Sequence, residues 1–319
     1  MSVLSKPYFH DEQAALDHLE SIVWPDGPTC PHCGAVDRIN KLTGVEDKKS
    51  RVRIGLWKCY HCRKQFTVRV GTLFERSHVP LCKWFQACYL MCSSKKGVSS
   101  HQLHRTLEVT YKTAWFMAHR IRMAMKDFSP PQLGGKGKYV EADETYFGGK
   151  RKFKNEDYIF ITGKGWIGPS RSMDHKQKVF TLVERGGAAM SFHVESATIN
   201  ILRPLVVKHV HRKSTLMTDD AWQYKSIGKE FPRHGCINHS AGEYGRGDIT
   251  TNTVEGFFSI FKRGMKGIYQ HCGERHLHRY LVEYDFRYSH RKISDLERTE
   301  EALRGIVGKR LTYGGPCRP

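Results

Sequence analysis

KYVEADET (residues 138–145) reads as a β-strand that delivers an acid, Asp143, at its end. Three further stretches carry the same β-type composition: Gln177–Glu184, Met190–Glu195 and Thr215–Asp219. The last of these, TLMTD, also ends in an acid, Asp219. Helical periodicity follows, over Thr250–Lys266 and about Glu274–Arg287. Strands followed by helices predict an α/β domain with a mixed sheet and flanking helices. Residues 148–177 are rich in glycine and lysine and are expected to form a long loop or hairpin.

Upstream the pattern differs. Residues 11–24 predict an amphipathic helix carrying Ala15, Leu19, Ile22 and Val23, ended by Pro25, Gly27 and Pro28. Two CxxC knuckles follow, Cys30/Cys33 and Cys59/Cys62, separated by 25 residues. Each knuckle sets two thiolates on one side of a tight turn, and two knuckles supply the four soft ligands of a closed, structural zinc site. His32 and His61 lie inside the knuckles, but four cysteines already complete the shell. Lys64–Val70 is expected as a strand closed by Gly71. Three helices are then expected: about Leu81–Met91 opened by Pro80, about Ser100–Leu107 capped by Ser99, and about Tyr111–Lys126 capped by Thr110. The last two are joined by Glu108-Val109-Thr110, which is helix-turn-helix spacing. The first turn of the second helix, Tyr111-Lys112-Thr113, is where a recognition helix meets base edges. On this helix Trp115, Ala118, Ile121, Arg122 and Met125 fall near one face, with Lys112, His119, Arg120 and Lys126 elsewhere. Pro130, Pro131 and Gly134–Gly137 mark a linker.

The chain has 319 residues, 52 Lys and Arg against 32 Asp and Glu, and a formal net charge of +20. A field of that sign attracts polyanions, of which nucleic acid is the commonest in a cell. No apolar run approaches a membrane span, and acids occupy the place of a signal-peptide core, so a cytoplasmic, nucleoid-associated protein is expected. With no secretion signal, the ten cysteines point to metal and free thiols rather than disulfides. Neither a P-loop nor an HExxH motif occurs.

In the expected helix after residue 250, Val254, Phe257, Phe258 and Phe261 make a buried stripe. Glu255 and Lys262, two turns apart, point together from another face. Asp143, Asp219 and Glu255 can converge only if their strands are neighbours, and carboxylates so placed repel unless a cation neutralises them. Hard oxygen ligands with water positions left open suit Mg²⁺ or Mn²⁺. Two such ions about 4 Å apart can activate a nucleophile on one side of a phosphodiester and stabilise the leaving oxygen on the other.

This set resembles the DDE signature of bacterial insertion-sequence transposases and retroviral-type integrases, with 35 residues between Asp219 and Glu255 and Lys262 seven positions on. DETYFGGK (143–150), TDDAWQY (218–224), INHS (237–240) and NTVEGFFSIFKRG (252–264) resemble the subgroup that carries a zinc ribbon. The resemblance runs from about residue 10 to about 290 and implies an RNase H-like catalytic domain. It divides the chain into an N-terminal helix (1–28), a zinc ribbon (29–74), a helix-turn-helix DNA-binding domain (78–128), a linker (129–137), the catalytic domain (138–295) and a C-terminal tail (296–319). It implies a transposase that binds the terminal inverted repeats of its element, cleaves at the ends and joins the 3′-hydroxyls to target DNA, acting as at least a dimer. Asp143, Asp219 and Glu255 would hold the magnesium ions, and Lys262 would contact the element's end. Asp220 adjoins Asp219, and strand alternation lets only one of them face the metals; the family's TD motif selects Asp219. Glu144, beside Asp143, is read as supporting or structural. The alternatives are a non-catalytic DNA-binding regulator built from the same N-terminal units, or an RNase H-like nuclease without strand transfer.

Lys112, Arg120, Lys150, Arg151 and Lys152 are further candidates for contact with DNA, Lys150–Lys152 through a salt-dependent backbone interaction. Trp166 and Trp222 read as packing residues, as do Tyr280, Tyr284 and Tyr288 at i+4 spacing. Cys82, Cys88 and Cys92 read as buried thiols. Cys236, Cys272, His271, His276 and His278 lack the knuckle spacing of a second zinc site.

Overall fold

The computed structural model describes residues 2–42, 54–148, 159–162, 165–167 and 176–312. It contains two compact units, residues 1–129 with 263–319, and residues 130–262.

In the first unit, helix α1 (Glu12–Val23) starts where Asp11 accepts the Ala14 amide at 2.7 Å, and it buries Ala15, Leu16 and Leu19. Strands β1 (Ile39–Lys41), β2 (Trp57–Cys59) and β3 (Gln65–Phe66) form a small antiparallel sheet. The strand expected over Lys64–Val70 is thus only two residues long; Val70 and Thr72 turn back through backbone bonds to Thr67 and Arg69. Helices α2 (Leu81–Ser93), α3 (Ser100–Leu107) and α4 (Tyr111–Met125) follow, with Ser99 and Thr110 as side-chain caps. Pro80 stands at the N-cap of α2, one position earlier than an N1 proline.

The second unit is built on a five-stranded mixed sheet. Its strands are β4 (Tyr139–Phe147), β7 (Gln177–Glu184), β8 (Ala189–Val194), β9 (Thr215–Asp219) and β10 (Arg233–Ile237), and β5 (Ile159–Ile161) with β6 (Gly165–Ile167) forms a separate hairpin. The sheet order is β10-β9-β4-β7-β8, with β10–β9 and β9–β4 parallel and the other pairs antiparallel. Helices α5 (Ile199–His209) and α6 (Trp222–Gly228) supply the core partners of Val140, Ala142, Phe180, Leu182 and Leu216. Neither helix is marked by strong periodicity; α5 even carries Pro204 inside it. Helix α7 (Asn252–Gly264) buries Val254, Phe257, Phe258 and Phe261, the stripe expected for it, and the boundary between the units falls within it after Lys262.

The chain then returns to the first unit through a π-helical turn, Met265–Tyr269, into α8 (Glu274–Ser289) and α9 (Asp295–Arg304). Helix α9, in the stretch expected to be a tail, opens with a full capping box between Ser294 and Glu297 and buries Ala302 and Leu303. Under α4 and α8 lies a closed ionic network. The Glu283 carboxylate, wholly buried, accepts from Arg122 at 2.7 Å, Arg287 at 2.8 Å and the Tyr269 hydroxyl at 2.6 Å. The carboxyl of Glu283 is held below its usual range despite burial, because two guanidiniums face it. Among the described residues no helix is long and apolar enough to cross a membrane.

Candidate metal centre and acidic site

The four knuckle cysteines converge. Their sulfurs all lie within 4.8 Å of one another, and the pairs Cys30–Cys62 and Cys33–Cys59 are each 3.7 Å apart. A tetrahedral zinc with bonds of about 2.3 Å requires sulfur–sulfur edges of about 3.8 Å, so the donor set fits the ion. The first knuckle closes through Gly34, whose φ of +76° only glycine adopts without strain, and through Cys30–Ala35 and Gly34–Cys30 backbone bonds. The thiols also titrate apart. Cys59 is pulled down to about 7, chiefly by the Cys62 amide, with burial opposing and the His61 amide assisting. Cys33, although the Ala35 amide favours its thiolate, is pushed up to about 12 by burial and its three sulfur neighbours. Four thiolates at this spacing need a cation. His61 turns away to Asp37 at 2.9 Å and is not in the cluster.

In the second unit strand alternation sorts the acids. Val140 and Ala142 point into the core shared with α5 and α6, so Glu141 and Asp143 point to the opposite face. Glu144 goes with Ala142: its carboxylate accepts from Gln223 at 3.2 Å and from the Tyr224 hydroxyl at 2.5 Å, both on α6. Glu141 pairs in register with Met217 of β9, and two residues on along each strand stand Asp143 and Asp219, on the same face. Asp220 lies past the strand end and is exposed. Glu255 sits in the first turn of α7, accepting from the Thr251 hydroxyl at 2.9 Å and facing His239 Nε2 at 3.3 Å.

The Asp143 carboxylate feels the other two. Asp143 is pushed up to about 8, by burial first, with the Glu144 amide opposing and the charges of Glu144, Asp219 and Glu255 adding to the rise. Asp219 is raised by burial, against the Ala221 amide and His239. They are not drawn into contact: among the described residues, only the cysteines gather three or more candidate ligands that tightly. An oxygen-rich, mutually repelling set on one sheet face has the donor chemistry of a hard divalent cation site.

The remaining expected site residues are distributed unevenly. Lys262 is exposed on α7, and Lys112 is exposed on the first turn of α4. Arg120 is a correction. It is 7% exposed, donates to the carbonyls of Leu311 and Glu75 at 3.1 and 3.2 Å, and lies over the rings of Phe116 and Trp84. Its guanidinium belongs to the core and cannot reach a phosphate, because beyond its first turn α4 is covered on nearly every side. Lys150, Arg151 and Lys152 lie outside the described residues. Three residues of the acidic site carried no expected role: His239, in a 3-10 turn after the unforeseen strand β10; Glu141; and Arg185, just past β7. Glu141 had a signal. An acid two positions before Asp143 must share its face.

Residues 132–289 match the family model of the ISXO2-like transposase domain, and residues 10–65 match the transposase zinc-ribbon domain. The chain belongs to the ISXO2-like transposase family. It is also similar to an uncharacterized protein in the transposable element ISH50 of Halobacterium salinarum, at 30% identity over 265 residues, which cover 80% of this chain and 83% of that protein. In this transposase the zinc-ribbon match spans the first knuckle and Cys59 and Cys62, and the domain match spans all three acids. The mixed sheet with its flanking helices is consistent with the RNase H-like architecture of such enzymes.

Proposed function

We propose that this transposase binds the terminal inverted repeats of its own element, cleaves at the ends and joins the freed 3′-hydroxyls to target DNA. One observation carries the reading: Asp143, Asp219 and Glu255 reach one face of the sheet from two adjacent parallel strands and a helix, and two of them are held above their ordinary carboxyl range. Asp143, Asp219 and Glu255 would hold magnesium or manganese, which when bound supplies charge neutralisation and a polarised nucleophile at a phosphodiester. The chain's own residues do the rest. The Glu144 and Ala221 amides orient Asp143 and Asp219 at 2.7 and 3.2 Å, and Thr251 and His239 orient Glu255. Lys262, two turns along the same helix, contacts the backbone of the bound end. Lys112 contacts DNA from the first turn of α4, the run Lys150, Arg151 and Lys152 adds sequence-independent affinity, and zinc in the cysteine cluster holds the ribbon folded. Joining two ends requires at least two copies of the chain on DNA.

The test uses oligonucleotides carrying the inverted repeats that flank the gene. Cleavage and joining that depend on Mg²⁺ or Mn²⁺ are expected, and Asp143→Asn, Asp219→Asn and Glu255→Gln should abolish both while DNA binding persists. Full activity in those variants removes the site assignment. Cleavage without joining would make the protein a nuclease.

A further inference from the structure

We infer that Glu141 and Arg185 are positioning residues of the reaction: a part-buried ion pair, its carboxylate fully enclosed, that fixes where helix α7 begins, and so sets Glu255 against Asp143. This rests on the three-acid reading of the site.

Helix α7 needs its first amides satisfied, and the local candidate for that role is Thr251. The Thr251 hydroxyl is instead bound to Glu255 at 2.9 Å. The cap comes from another strand. One oxygen of Glu141 accepts the amides of Thr253 and Val254 at 2.8 and 2.9 Å. Its other oxygen accepts the Thr253 hydroxyl at 2.9 Å and Arg185 Nε at 2.6 Å. The rest of the Arg185 guanidinium gathers the segment entering the helix: it donates to the Asp248 carbonyl at 2.7 Å and to the Thr250 carbonyl and hydroxyl, both at 2.9 Å. Tyr139, on β4, lies under the same guanidinium.

A carboxylate has about four lone-pair sites, and here all four are taken. Glu141 is 0% exposed and has nothing left to offer a metal ion or a phosphate. Its effect runs through its neighbours. Asp143 is two residues further along the same strand, and Glu255 follows directly on Val254, whose amide Glu141 holds. One buried carboxylate therefore ties the strand carrying the first acid to the helix turn carrying the third. Displacement of a reacting group by about 1 Å can cost about 100-fold in rate, which is the scale on which such a tie acts.

The experiment compares full-length, zinc-loaded wild type with Glu141→Gln and Arg185→Gln. At 141 glutamine keeps the volume but turns an N–H₂ toward a cluster of donors, and at 185 it shortens the side chain and removes the guanidinium donors. Single-turnover cleavage of the flanking-repeat oligonucleotide is measured across a Mn²⁺ titration, alongside DNA-binding affinity and amide hydrogen exchange. Expected are a fall of about 10-fold or more in maximal rate, a shift of half-saturation to higher Mn²⁺, faster exchange confined to residues 248–256, and unchanged DNA affinity. A merely structural pair would lower stability and leave the metal dependence where it was. Wild-type rate and metal dependence in both variants, with Asp143→Asn inactive, would overturn the inference and leave the acid site standing. Activity in Asp143→Asn would instead remove the site itself. Should Glu141→Gln fail to fold, Thr253→Val deletes one donor and keeps the ion pair; a smaller loss with the same metal shift is expected, and an unchanged titration refutes the role.

Discussion

His119 offers the most direct physical check on the helical core. Its sequence position lies off the face that carries Trp115, Ala118, Ile121, Arg122 and Met125, yet His119 is 0% exposed, and neither ring nitrogen has a hydrogen-bond partner. It packs between Trp115, His276 and Tyr280, with ring centroids 4.3, 5.2 and 5.8 Å away. Its pKa is driven down to about 2, by burial first and then by Arg122, Arg279, His276 and His278, all cationic or able to become so. The folded state thus holds the imidazole neutral, while the unfolded chain takes up a proton below about 6.5. Stability from this group is complete above pH 6.5 and falls as pH drops through that value. At pH 5 the unfolded state is favoured by 1.5 pH units of proton binding, about 2 kcal/mol, whatever the folded value so long as it lies well below 5. His119→Leu removes this linkage. The assay is denaturant unfolding of both proteins at pH 8 and pH 5. Wild type should lose about 2 kcal/mol more than the variant between the two, or about 4–8 °C in melting temperature for a unit of this size. Because each protein is its own reference, any packing change from leucine cancels. Equal losses in the two proteins would refute the claim that His119 is buried and neutral.

Other outcomes follow from the same geometry. Glu283→Ala strands two buried guanidiniums and should cost about 3–5 kcal/mol, read by denaturant unfolding. Arg120→Ala should lower the melting temperature while leaving the salt dependence of DNA binding unchanged, whereas Lys112→Ala should leave stability alone and reduce the salt slope by about one. Chelation of zinc, or Cys59→Ser, should unfold the ribbon, seen as loss of protection in residues 30–42 and 54–66, because metal binding is the folding free energy of so small a core.

Local rules marked much of this protein in its sequence. Knuckle spacing identified the cysteine cluster, since four thiols at CxxC intervals have one favoured arrangement. Caps at Ser99 and Thr110, and the apolar stripe of α7, marked their helices because those signals lie within a few residues of one another. The order of the strands carrying Asp143 and Asp219, then the Glu255 helix, indicated the mixed sheet, although β4 runs on four residues past Asp143, to Phe147, and only β9 ends at its acid. What the chain alone left open were choices that turn on a distant neighbour. Asp143 differs from Glu144 only by the side of β4 it occupies, and that side is set by α6. Arg120 and His119 look like surface residues until α8, α9 and the chain near Leu311 close over α4. Strand β10, helix α6 and His239 had no periodicity to announce them. Glu141 and Arg185 became a clamp only because residues 112 positions apart in sequence meet at the start of α7. Hydrogen bonds and caps formed within a turn are written in adjacent letters, whereas burial and charge pairing depend on what packs above, and only the tertiary structure decides that.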